Sequence, residues 1–440
     1  METEWIKRSS WGNHFHTFGR ILNNVKNSKQ SNFFQRGIIP IGNGRSYGDS
    51  ALNSGGYLLS SSEQSEIFIN PTNKTVLVGS GVLLEHLEKE LLKHNLYLPV
   101  VPGTGKITIG GAIAADVHGK SHHKQGSFGN HLHKIKIVTP NFEELELLPS
   151  GETSDYFWAT IGGMGLTGQI LEAEIQLITV QNEFISSEEI RFRNLDEALE
   201  IFENFNEKYH YTVAWLDISG NYAGRGKISG GNHAAVTTKG KKIPGKYKSP
   251  KKISIPQYLQ INLISKSFIK LFNSFWFHKP LKNGLIEIQK FMHPLDSIDN
   301  WNYAYGKNGF IQYQFVVPSA HSKALQDVLD ILRNYKVHSF LCVLKKFGPG
   351  SQGFLSFPME GWTMTIDISK NHSKLFEIVS VLDEKVIESG GRVYLAKDSF
   401  LTPWKLTSMY EHLDSWLRIK RRIDPENLWR SDQGRRVGLC

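Results

Sequence analysis

The run Pro40-Ile41-Gly42-Asn43-Gly44-Arg45-Ser46-Tyr47-Gly48-Asp49-Ser50 follows a β-rich apolar stretch, and Pro102-Gly103-Thr104-Gly105 with Gly110-Gly111-Ala112 follows another. Glycine lets a main chain come close to a ligand and aim consecutive N–H groups at phosphate oxygens. Two such turns in one N-terminal half suit a two-phosphate ligand held mainly by backbone, which is what FAD requires. His118, His122 and His123 raise a different chemistry, because two of them are four residues apart, as zinc ligands are on a helix face. No cysteine or acid completes the set at suitable spacing, and Gly119 spoils a helix, so no metal is expected. His118 and Lys120 read instead as the end of an active-site strand, and His123 as a satisfied structural histidine.

Three further runs accompany the first glycine loop. They are Asp116-Val117-His118-Gly119-Lys120-Ser121-His122-His123, then Asp155-Tyr156-Phe157-Trp158-Ala159-Thr160 leading to Gly162-Gly163-Met164-Gly165-Leu166-Thr167-Gly168, and finally Tyr394-Leu395-Ala396-Lys397-Asp398-Ser399. In this order they resemble the FAD-binding oxidoreductases of the vanillyl-alcohol oxidase superfamily. Within it the chain is most similar to the decaprenylphosphoryl-β-D-ribose 2′-oxidases of arabinan-building bacteria. The resemblance spans residues 10–435, is densest in the flavin half, and thins around residues 220–290.

The resemblance implies FAD-dependent oxidation of the 2-hydroxyl of a polyprenyl-phosphoryl ribose to the keto sugar. This is the first half of an epimerisation to the arabinose form in cell-wall arabinan biosynthesis. A separate NAD(P)H-dependent ketoreductase is then the expected partner, because this chain offers no nicotinamide site. The alternative is an alditol or aldonolactone oxidase acting on a soluble sugar. Those relatives often carry histidine where Arg45 stands, which counts against it. Many relatives bind flavin covalently through a histidine in the first glycine loop; arginine cannot form that bond, and the flavin half has no cysteine. Non-covalent FAD is therefore expected.

Gly42, Asn43, Gly44, Arg45 and Ser46 are expected to cradle the pyrophosphate, with Gly103 and Thr104 opposite. The resemblance adds Gly110, Ala112, Gly126, Asn130, Ile170 and Tyr394 as flavin contacts. Removing a hydride from carbon while the hydroxyl proton leaves benefits from a fixed cation near the developing flavin anion. Lys397 is the expected cation, or the base if its pKa is depressed; His118 is the competing base. Lys120 and Lys345 are expected to bind phosphate. Gln312 and Gln314, alternating on one strand, face one side and can bind sugar hydroxyls. Tyr47, Trp215 and Phe347 supply apolar walls. Thr363 and Thr365 stand where mycobacterial members carry Asn and Cys, a departure on the substrate side.

These residues need elements to position them. Residues 37–41 and 75–79 read as short buried strands, and Leu83, Leu84, Leu87, Leu91 and Leu92 mark an amphipathic helix. Residues 135–139 and 144–148 bracket Pro140-Asn141 as a hairpin, and 170–178 alternates as a strand. Residues 163–168 match the G-x-G-x-x-G dinucleotide fingerprint but lead into that strand rather than a helix, so the fingerprint fails on context. Strands are expected at 211–217, 309–317, 338–344, 362–368 and 391–396, and helices at 324–334, 373–389 and 404–422. The absence of regular strand–helix–parallel-strand alternation predicts an α+β protein. We expect a two-lobed FAD-binding domain of the PCMH type (residues 1–180), an antiparallel-sheet cap domain (181–390) and a C-terminal return to the FAD domain (391–440).

Composition fits this picture. The 440-residue chain is too long for one ordinary core. Only Cys342 and Cys440 are present, so no disulfide framework is implied. The N-terminus does not read as a signal peptide and no apolar run of about 18 residues occurs, so a cytoplasmic location is the default. Formal net charge is +9, concentrated at residues 239–252, which hold seven lysines and no acid. This run is expected to be mobile and without a packed core, as either a solvated loop or a contact for anionic lipid headgroups; no nucleic-acid-reading module accompanies it. In residues 258–277, Ile261, Ile264, Phe268, Leu271 and Phe275 recur at helical spacing. Together, residues 238–277 read as a lid or a peripheral membrane contact.

Overall fold

Residues 4–23, 35–220, 224–235, 253–256 and 264–440 are described by the computed structural model. The lysine run 239–252 and residues 258–263 lie outside them. The described residues form an α+β fold. In the N-terminal half, a four-stranded sheet runs in the order Trp5–Ser9, His16–Leu22, Tyr57–Ser60, Ile38–Ile41. A five-stranded antiparallel sheet runs Ile67–Asn70, Thr75–Gly79, Gln169–Gln176, Leu132–Val138, Glu144–Leu147. The helix Leu84–Leu92 buries Leu84, Leu87 and Leu91 against this second sheet, as its apolar spacing predicts.

An eight-stranded antiparallel sheet dominates the second half. Its order is Gly284–Glu287, Phe184–Phe192, Arg225–His233, Tyr211–Asp217, Cys342–Phe347, Gly361–Ser369, Phe310–Val317, Arg392–Val393. Register gives this sheet two unlike faces. Ile228, Ala214, Leu344, Met364 and Phe315 pair across successive strands, are all fully buried, and pack under the helices Leu195–Lys208, Lys323–Asn334 and Leu375–Glu388. One residue along, Lys227, Trp215, Val343, Thr365 and Gln314 form the neighbouring row on the opposite face. That face turns towards the flavin-binding half.

Three elements differ from expectation, each for a local reason. The strand expected at 338–344 begins only at Cys342. Ser339 Oγ accepts from the Leu341 N–H at 3.2 Å and donates to the Leu341 carbonyl at 2.9 Å, a side-chain turn that competes with the ladder. The helix expected over 404–422 is two helices, Pro403–Met409 and Leu413–Ile423. Between them Tyr410 leaves helical geometry, is buried, and donates its hydroxyl to the Val393 carbonyl at 2.7 Å. The strand expected at 391–396 pairs only at Arg392–Val393. The chain then turns, with Lys397 N–H donating to the Tyr394 carbonyl at 2.9 Å, and delivers Lys397 to the space between the halves.

Candidate active site

A cavity of about 980 Å³ runs between the glycine loops and the cap sheet. The strand Ile38–Ile41 ends in a turn at Gly42–Ser46, where Gly44 takes φ = 60° and the space its side chain would occupy is open. A Cβ on Gly42 would collide with the Thr108 side chain, so only glycine lets the two loops meet. Asn43 Nδ2 ties them together by donating to the Lys106 carbonyl at 2.7 Å. The Arg45 guanidinium lies 3.8 Å over the Trp11 ring, and its Nε has no hydrogen-bond partner among the described residues. Gly103 also opens onto free space. Thr104 Oγ1 donates to Asp296 at 2.7 Å, the Gly105 N–H donates to Asp296 at 2.8 Å, and Lys106 pairs with Asp299. This open, glycine-walled cradle with an orphaned guanidinium nitrogen fits a dinucleotide such as FAD.

Three lysines converge beyond the cradle. Lys120, Lys345 and Lys397 line the same cavity, so they keep accessible surface while sitting deep in the protein. Lys120 Nζ donates to the carbonyls of Phe291 at 2.6 Å and Met292 at 2.7 Å. The ammonium groups of Lys345 and Lys397 have no hydrogen-bond partner among the described residues; Lys397 stands 5.7 Å from the Tyr47 ring centre. Desolvation, then Lys345, push Lys397 down to about 7 and Lys120 likewise to about 7, while desolvation alone brings Lys345 to about 8. The buried carboxyl of Asp367 is pushed up to about 7 by desolvation. It accepts from Gln312 Nε2 at 2.6 Å and from the Tyr305 hydroxyl at 3.1 Å.

His118 is buried among Phe347, Phe357 and Tyr394, with ring centroids at 4.8, 5.5 and 5.2 Å. Desolvation, then the charges of Lys345 and Lys397, hold it well below its ordinary value, so it is neutral. Its tautomer follows from its neighbours. The Thr363 hydroxyl donates to the Phe315 carbonyl at 2.8 Å and accepts from Gln314 Nε2 at 3.0 Å. The second hydrogen of that amide meets His118 Nε2 at 2.9 Å. With the amide in this orientation the imidazole proton is on Nδ1, and both Nδ1 and Gln314 Oε1 are buried without a partner among the described residues.

Most of the residues singled out in the sequence line this cavity: Gly42 to Tyr47, Gly103, Thr104, Gly110, His118, Lys120, Ile170, Trp215, Gln312, Lys345, Tyr394 and Lys397. Five do not. Ala112 faces the core of its helix, fully buried. Gly126 and Asn130 lie outside the cavity lining; Asn130 is exposed, and its Oδ1 accepts from the Ser127 N–H at 2.9 Å. Gln314 is fully buried beneath the cavity, spent on His118 and Thr363 rather than offered to a sugar. Phe347 is buried too and packs on His118 and His122 instead of forming the wall.

Sequence reasoning missed Asp296, Asp299 and Lys106, whose contacts join segments far apart in the chain, and no local signal marks them. It also missed Asp367, although an acid two residues beyond Thr365 on an otherwise uncharged strand was such a signal. The Met164–Gly168 segment, with positive φ at Met164, Gly165 and Gly168, approaches the cavity as a bend before a strand rather than a Rossmann turn.

A family model described as an FAD binding domain matches residues 28–148. The chain is 39% identical to a decaprenylphosphoryl-β-D-ribose oxidase of Mycolicibacterium smegmatis, covering 92% of this chain and 90% of that one. It is 21% identical, over 91% of this chain and 90% of the relative, to an L-gulono-1,4-lactone dehydrogenase of Mycobacterium tuberculosis. A probable L-gulonolactone oxidase of Arabidopsis thaliana is 28% identical over 34% of this chain and 27% of its own length. The lactone enzymes are thus the more distant relatives, and FAD is the cofactor that this fold and cradle serve. The chain is an FAD-dependent oxidoreductase of the vanillyl-alcohol oxidase superfamily and belongs to its decaprenylphosphoryl-β-D-ribose oxidase family.

Proposed function

We propose that this enzyme oxidises the 2-hydroxyl of a polyprenyl-phosphoryl ribose to the corresponding keto sugar. The observation that carries this reading is the pair Lys120 and Lys345, close together in the cavity that Lys397 also lines, with neither in an ion pair to a carboxylate among the described residues. Cations held away from water need a counter-charge. A phosphoryl group on the substrate provides it, whereas a free alditol or lactone does not. When bound, FAD supplies the two-electron acceptor.

The chain's own residues do the rest. Lys120 is anchored by two carbonyls and Lys345 faces it, which suits them to the phosphoryl group. Lys397 Nζ, held near 7, takes the proton of the 2-hydroxyl. His118 stands neutral beside the site, while Gln312, braced by Asp367, and Tyr47 position the sugar. Gly42–Ser46 with Gly103 and Thr104 hold FAD through main chain and without a covalent bond. Residues 1–180, 181–390 and 391–440 serve as flavin domain, cap and return segment.

The keto product needs a reductase to complete epimerisation, and a separate NAD(P)H-dependent ketoreductase is the partner we infer. Among the described residues no helix is long and apolar enough to cross a membrane. The exposed Leu271 and Phe275 on a helix carrying Lys266 and Lys270 favour peripheral contact with a bilayer. Anaerobic stopped-flow bleaching of the flavin tests the reading: polyprenyl-phosphoryl ribose should reduce it and free alditols should not. Bleaching by alditols alone would reverse the assignment.

A further inference from the structure

The helix Lys266–His278 is capped by Ser265, whose side chain accepts from the Phe268 N–H at 3.1 Å. It is a fixed wall. The Nδ2 of Asn273, fully buried at its middle, shares its two hydrogens among Asp217 Oδ1 at 2.8 Å, Ser219 Oγ at 3.1 Å and the Ser339 carbonyl at 3.0 Å. At its end Arg191 donates to the carbonyls of Phe277, His278 and Lys279 at 2.7, 3.1 and 2.8 Å.

One flank of this wall is an aromatic ladder at i, i+4 spacing. Phe268 stacks on Phe272 at 6.2 Å, and Phe272 on Trp276 at 6.0 Å. All three rings line the active-site cavity. The ladder connects to the catalytic end through rings in contact: Phe272 to Phe340 at 5.9 Å, Phe340 to Trp301 at 6.3 Å, Trp301 to Phe310 at 5.5 Å, and Phe310 to Tyr47 at 5.8 Å, beside Lys397. The sheet supplies the facing wall. Trp215 and Val343 continue the row from Thr365, and the row turns polar only at Lys227, whose Nζ donates to the Lys279 carbonyl at 2.7 Å.

We infer that this limb of the cavity, between the ladder and the Val343–Trp215 row, binds the first units of the substrate's hydrocarbon tail in extended form; the inference rests on the ribose-lipid reading above. A rigid slot walled by flat rings suits an unsaturated chain, because it gains contact area with little ordering of the protein. It is continuous with the lysines that would hold the phosphoryl group, so head and tail of one molecule occupy one cavity. Leu271 and Phe275, 72% and 62% exposed on the same helix, offer apolar surface to a tail longer than the limb.

The test compares farnesyl-phosphoryl ribose with methyl-phosphoryl ribose by kcat/KM for flavin reduction. Wild-type enzyme should prefer the farnesyl substrate, and Phe272→Ala and Trp276→Ala should each cut that preference on the order of tenfold. Should either alanine variant lose FAD, Trp276→Leu with farnesyl phosphate as competitor decides instead: the inhibition constant should rise on loss of the flat ring. A wild-type enzyme indifferent to the tail, or a preference and inhibition constant unmoved by these variants, overturns the tail limb while leaving the ribose reading intact. If neither ribose ester bleaches the flavin and alditols do, the functional reading fails, and this inference with it.

Discussion

The side-chain amide of Gln314 donates to Nε2 of His118 at 2.9 Å, and that single bond separates the two candidate bases. With Nε2 facing that amide and Nδ1 buried without a partner among the described residues, neither ring nitrogen is open to the cavity. On the reading proposed above, proton removal falls to Lys397, which has no hydrogen-bond partner of its own among the described residues.

Lys397→Ala should retain FAD yet lose flavin reduction by roughly 100- to 1000-fold, the usual effect of removing one preorganised charged contact. Single-turnover bleaching with the absorbance of bound FAD recorded alongside checks both halves. Reduction within a few-fold of wild type would return the base role to His118.

As a base, Lys397 works unprotonated, so reduction should accelerate as pH rises through about 7 and level off above it. The charge of Lys345 depresses Lys397 and the Asp367 carboxylate raises it. Lys345→Met should therefore move the ascending limb to higher pH, and Asp367→Asn to lower pH. Limbs that shift together, or not at all, would detach the profile from Lys397.

The histidine tautomer is directly observable. In protein labelled with ¹⁵N-histidine, His118 should show a pyrrole-like Nδ1 and a pyridine-like Nε2 that do not titrate between pH 5 and 8. Gln314→Glu replaces the donor with an acceptor, so the proton should move to Nε2 and the imidazole should become easier to protonate. An unlabile Nε2–H tautomer in the wild type would contradict the Thr363–Gln314–His118 arrangement.

Arg45 occupies the position where a covalent ligand would stand in many relatives. Acid precipitation should release all flavin to the supernatant, and a yellow pellet would show the opposite. Arg45→Ala should weaken FAD retention, because its guanidinium faces the cradle with an unsatisfied Nε.

Asn273→Ala removes an amide whose two hydrogens serve Asp217, Ser219 and the Ser339 carbonyl at a fully buried site. Such losses cost on the order of 1–3 kcal/mol. A lower unfolding midpoint measured by calorimetry is the expected outcome.

Much of this architecture could be read from local pattern. Alternation at residues 170–178 and the apolar stripe of Leu84–Leu92 depend on neighbours a few residues away, so periodicity revealed both. Gln312 and Gln314 mark the limit. Alternation correctly placed them on one face of a strand, but it could not tell that one borders the cavity and the other lies under His118. The Asp296 clasp on Thr104 and Gly105 was illegible for a stronger reason. It joins residues 192 positions apart, and nothing in either segment names the other. Thr363 and Thr365 were visible as departures from the mycobacterial residues, yet only the fold shows that Thr363 sets a proton's position while Thr365 borders the cavity.

The two faces of the eight-stranded sheet have a bearing on how such an enzyme can diverge. Because successive residues point to opposite sides, inserting or deleting one residue within a strand would send Thr365, Val343 or Trp215 into the helix-covered core and bring Met364, Leu344 or Ala214 into the pocket. Point replacement can retune this wall one position at a time, as at Thr365. Changes in length would scramble it outright. Selection for a new tail or sugar should therefore leave its record in side-chain identity along the row, with length variation confined to the turns.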